Sequence, residues 1–162
     1  MKKFLTLQNC AKCCAFVLGV VAFCLMFADQ LVVRSGNSAA YMPFQNALFG
    51  GKVTLLIITA TYQGAVLSFV GYLLVVVAAL LTGANFFVTD KKANKLLPFI
   101  NGALFVVGGV FVILEASLFN GANNLDNTWS LAIAPIIAAV LAFLAGALNC
   151  GSIFLSDKPL VK

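Results

Sequence analysis

The chain contains no histidine, and only 9% of its residues are charged. The first absence removes the commonest general base and the commonest metal ligand. The second excludes an ordinary soluble domain, in which about 25% of residues carry charge and about 45–50% are apolar. Here 62% are hydrophobic. In water a chain of 162 residues has too much surface to leave so bare of charge. A lipid-facing surface resolves the conflict. Catalytic signatures are also missing: there is no G-x-S-x-G, no P-loop and no dinucleotide glycine pattern. No catalytic residue, metal site or cofactor is therefore assigned. The net charge of +5 does not point to nucleic acid, because the basic residues form small groups beside apolar runs rather than a basic stripe.

Long apolar runs are plentiful. A hydrocarbon core about 30 Å thick needs roughly 20 helical residues. Four segments meet that length, at about 12–33, 65–88, 96–119 and 130–155. The expected fold is a membrane all-α four-helix bundle, one domain over 1–162. The first run lacks a convincing cleavage site and reads as an uncleaved helix. Lys2, Lys3, Lys12, Lys91, Lys92, Lys95, Lys158 and Lys162 fall on one side of the spans, against Arg34 and Lys52 on the other. Cytoplasmic loops collect Lys and Arg. The expectation is a multi-pass protein of the plasma (cell) membrane with both termini cytoplasmic. Pro98 suits the first turn of the third helix, Thr128 or Ser130 a cap of the fourth, and Trp129 the headgroup region.

The segment between the first two spans is the most distinctive. Residues 53–62 are rich in β-branched side chains, and Gly50-Gly51 separates them from Tyr41–Phe49. This predicts an extracellular β-hairpin over about 41–62, turning at the glycines, with Pro43 on an edge. A single helix over 53–88 would be roughly 54 Å long, well beyond the core thickness. A helical turn entering the outer leaflet is the other alternative. Both hairpin faces look apolar, so Phe44, Phe49, Leu55, Ile57 and Tyr62 are candidate contacts for a partner.

Asp29 and Glu115 fall at similar depth near the outer ends of their spans. Together with Arg34 they are candidates for a proton or ion site; the plainer reading is that they reach headgroups or pair with Arg34 or Lys52. Ala134, Ala138, Ala142, Gly146 and Cys150 recur every fourth residue. This small-residue ridge suits close helix packing, within the bundle or against a second protomer. Cys10, Cys13 and Cys14 crowd one end of the first helix. They read as reduced thiols, with acylation and a zinc site shared with Cys150 as alternatives.

Thr82–Lys91 matches Asn149–Lys158, with Phe87/Phe154, Asp90/Asp157 and Lys91/Lys158 identical, and Phe-Val-(Leu/Val)-Gly occurs at both 16–19 and 105–108. This pattern suggests two helical hairpins of the same direction; compositional likeness between apolar helices is the alternative. The order of elements, with internal termini, a β-rich first outer segment and a short second one, resembles the claudin-like tetraspan architecture. The Gly-Leu-Trp motif and paired cysteines of claudins are absent, so adhesive or paracellular roles do not follow. Phe16–Phe23 and Val66–Tyr72 also resemble small four-helix bacterial membrane proteins. The functional expectation is a non-enzymatic interaction protein, with the lipid bilayer and a second copy or another membrane protein as partners and no nucleic acid. A small oligomeric channel or transporter subunit using Asp29 and Glu115 is the alternative.

Overall fold

The computed structural model describes residues 6–35, 37–55, 58–88, 91–126 and 128–155. Four long helices dominate it: α1 (Leu7–Cys24), α3 (Val66–Ala84), α4 (Lys91–Ile113) and α6 (Ile133–Ser152). Counting the short 3-10 turns that extend α1 and α3, each is long and apolar enough to cross a membrane. They form a ring in which α1 and α4 each pack against α3 and α6. Phe105 is fully buried in the centre, where Gly19 of α1 meets both its ring and Ala79 of α3. The surrounding core is built from small residues, including Ala15, Ala22, Ala78 and Ala142.

Close approach is what these small residues permit. Gly71 and Gly108 cross so tightly that a Cβ on Gly108 would lie 2.7 Å from the Gly71 carbonyl oxygen, and one on Gly71 2.9 Å from that of Gly108. In lipid, where apolar burial gives no net drive between helices, such packing is what holds them together. The ridge on α6 turns inward: Ala134, Ala138, Ala142 and Gly146 are all buried, with Gly146 against Gly102 and Val106 of α4. The large apolar side chains Val21, Leu80, Val110 and Leu144 point outward instead.

One end of the ring carries two small sheets. Strand β1 (Asp29–Ser35) lies between β2 (Ser38–Pro43) and β5 (Ser130–Leu131). A separate antiparallel pair joins β3 (Gly50–Leu55) to β4 (Ile58–Gln63). The short helix α2 (Phe44–Phe49) links β2 to β3, and α5 (Glu115–Ala122) extends α4 beyond Leu114. The bonds Leu114 N–H to Val110 O (3.1 Å) and Leu118 N–H to Leu114 O (2.9 Å) carry the helix across that joint.

Several boundaries differ from the expectation. The first helix starts at Leu7, where Thr6 Oγ1 caps it by accepting from Asn9 N–H at 3.1 Å. It gives way to strand β1 rather than continuing to 33. Hydropathy does not separate a buried strand from a helix; antiparallel pairing of this segment with β2 decides it. The third helix begins earlier, at Lys91, so Pro98 lies inside it rather than in its first turn. The fourth begins at Ile133 with no side-chain cap. The hairpin is present, but Leu55 pairs with Ile58, so the chain reverses after Leu55 and not at Gly50-Gly51. Gly50 instead starts β3 at φ 78°, where a Cβ would strike the Tyr62 carbonyl. With this register Lys52, Thr54, Thr59 and Thr61 are exposed, while Val53 is buried and Tyr62 half-buried. The outward face is polar, contrary to the expectation of two apolar faces. Pro43 does end an edge strand.

Candidate functional site

The sheets are fastened to the helices by side chains that bond backbone. Gln30 Nε2 donates to the carbonyls of Leu25 (3.1 Å), Met26 (2.8 Å) and Ala28 (2.7 Å), closing the end of α1. This leaves Gln30 Oε1 to accept the Tyr72 hydroxyl proton at 2.8 Å. Asn120 on α5 holds Trp129 from both sides, accepting from its N–H (3.1 Å) and donating to its carbonyl (2.7 Å). Asn123, just past α5, does the same to Gln63 of β4, at 2.7 and 2.9 Å. Tyr62, Phe119 and Trp129 pack between these clamps, with centroid distances of 5.5–6.2 Å. Trp129 is therefore buried against Tyr62 of the hairpin and Phe119.

The sequence-derived candidates are dispersed. Glu115 is fully buried at the start of α5, two residues beyond the span Ala93–Ile113, and neither carboxylate oxygen has a hydrogen-bond partner. Burial pushes its carboxyl up from 4.5 to about 8. Asp29 and Arg34 are exposed on β1 and line a groove of about 330 Å³ with Tyr41, Leu131 and Ile133. Asp29 and Glu115 thus occupy different environments, one open and one closed.

Among the candidate contacts for a partner, Phe49 is exposed and stacks on Phe69 at 4.8 Å, while Phe44 is half-buried against Phe27 at 5.1 Å. Tyr62 is turned into the aromatic cluster. Leu55 is placed by its backbone in β3, and Ile57 lies outside the described residues. Tyr41, by contrast, is 55% exposed on the edge strand β2. Periodicity gave no reason to favour it over the hairpin.

At the opposite end, Thr82 Oγ1 donates to Ala78 O (2.8 Å) and accepts from Asn149 Nδ2 (3.1 Å), with the Asn101 amide 3.3 Å away. Thr82 and Asn149 are the aligned positions of the repeat noted above. The next aligned pairs also match in setting: Asn85 and Ser152 are buried, whereas Phe87 and Phe154 are the most exposed large apolar residues. Lys12 is buried too, donating to Asn94 Oδ1 at 2.6 Å. Between this layer and Tyr72 the buried side chains, such as Val75, Ala79, Phe105 and Ala142, are apolar. The five cysteines are free thiols, and Cys13 and Cys14 line an open apolar groove with Val17 and Leu18. Among the described residues no group of three or more His, Cys, Asp or Glu is placed to hold a metal.

No protein-family model matches the chain, and no curated protein matches it in sequence.

Proposed function

We propose that the chain is a non-enzymatic protein of the cell membrane that presents its sheet module on the outside, for association with a second copy or another membrane protein. Four spans, and Lys12, Lys91, Lys92 and Lys95 on helix segments remote from the sheets, support this orientation, with both termini cytoplasmic. The observation that carries the reading is the unpaired edge of β2, adjoining the groove of Tyr41, Arg34 and Asp29. An open strand edge offers a row of backbone donors and acceptors, and proteins that do not use such an edge generally block it. The contact surface is accordingly Tyr41 and β2, with Phe49 at its margin, rather than the apolar face of the hairpin. The resemblance to claudin-like tetraspans extends here to layout alone.

An apolar middle layer plugged by Phe105 counts against a solute path through the bundle. The test is a photoreactive residue at Tyr41 or Thr59 in native membranes. Adducts from Tyr41, to the same chain or to another membrane protein, support the reading; monomer alone from both positions, with β2 replaceable at no cost to association, defeats it.

A further inference from the structure

The packing of α3 on α4 fixes a register that reaches further than its visible contacts. Thr82 lies against Asn101, Val75 against Gly108 and Gly71 against Val112, so the steps of seven and four residues are equal on both helices. Carried three residues on, the same register sets Ser68 opposite Glu115. Both residues are fully buried. The Ser68 hydroxyl and both Glu115 oxygens are without a hydrogen-bond partner. Tyr72 stands one turn from Ser68 on α3; its proton is committed to Gln30, which leaves the phenolic lone pairs available. We propose that Ser68, Tyr72 and Glu115 form a binding site for one desolvated alkali-metal cation.

The chemistry of the donors selects the ligand. All are oxygens, which suit a hard cation. A single carboxylate balances a single positive charge, and a divalent ion would leave net charge in a low-dielectric interior. Among the described residues, none of the elements packed around Glu115 offers a cation to balance it. Helix α5 has no basic residue, α3 has none and no titratable group but Tyr72, and Lys95 on α4 is 20 residues from Glu115, roughly 30 Å along the helix. Strand β5 has no charged residue, Tyr62 of β4 is occupied with Phe119 and Trp129, and Asp29 and Arg34 of β1 are exposed. A bound ion would tie α3 to α5, the helix whose Asn120 holds Trp129 and whose C-terminal neighbour Asn123 holds the hairpin.

The test is thermal unfolding of the full-length protein in detergent at pH 9, in sodium, potassium or N-methylglucamine chloride at equal ionic strength. The wild type should gain several degrees in Tm with one alkali cation, saturably. Glu115→Gln should abolish the gain, and Ser68→Ala should raise the half-saturating concentration at least tenfold. Equilibrium dialysis of the wild type with radioactive sodium and rubidium should find one ion per chain, a readout that does not depend on any variant folding. The same Tm in all three salts, stabilisation by calcium or ammonium alone, or a gain that survives Glu115→Gln would each overturn the proposal.

Discussion

In N-methylglucamine buffer, with no alkali cation present, Glu115 should make the protein less stable as pH rises. In the unfolded chain its carboxyl titrates near 4.5; in the fold burial holds it at about 8. Below pH 4.5 both states carry the proton and stability does not change on this account. Between 4.5 and about 8 the folded state keeps a proton that the unfolded state has released, so stability falls with each rise in pH. Above about 8 both have released it and the fall stops. At 1.36 kcal/mol per pH unit the total loss is about 5 kcal/mol. Trp129 is the only tryptophan and is buried beside Phe119, four residues from Glu115. Its emission therefore reports unfolding of this region in urea or dodecyl sulfate. Midpoints should drop from pH 5 to pH 8 in the wild type and stay level in Glu115→Gln, which should become the more stable protein at pH 9. A wild-type midpoint that is flat or rising over that range, or the same slope in the glutamine variant, would refute the reasoning.

Three further outcomes follow from packing and hydrogen bonding. Asn123→Ala removes both bonds to the Gln63 backbone and should cost about 1–2 kcal/mol, with faster amide exchange confined to the β3–β4 hairpin. Gly108→Ala drives a methyl group against Gly71 and Val75 and should cost about 1–3 kcal/mol in a urea midpoint, whereas Gly151→Ala meets nothing and should be neutral or slightly stabilising. Tyr72→Phe leaves Gln30 Oε1 buried without its donor and should lose about 1–3 kcal/mol by the same assay.

The helices were legible in the sequence because hydropathy over some 20 residues is a strong signal. Their ends were less so. Thr6 caps the first helix, whose opening turn holds polar Gln8-Asn9, which hydropathy discounts. At Asp29–Val33 the apolar run continues while the backbone changes from helix to strand, and only long-range pairing with β2 decides this. Gly50-Gly51 carries the signature of a tight turn, yet Gly50 serves close approach to Tyr62 of β4, and Gly51 adopts a φ of 145°. Of the candidate site, Glu115 was legible as a rare acid near a span. Ser68 and Tyr72 were not, because single polar residues in an apolar helix acquire meaning only through the α3–α4 register. Asn120 and Asn123 fall between the third and fourth expected spans, where hydropathy is silent, and their partners Trp129 and Gln63 are set by the fold.

The reading of the sheet module as a contact surface is tested most directly by native mass spectrometry of the protein extracted from its own membranes, comparing the wild type with Tyr41→Asp. The substitution sits on an exposed edge and should leave the Trp129 emission and the urea midpoint unchanged. The wild type should appear in complexes of two or more chains, its own or with another membrane protein, and Tyr41→Asp should reduce these to the 17.1 kDa monomer. A wild type that is monomeric throughout, or complexes that survive Tyr41→Asp intact, would contradict it.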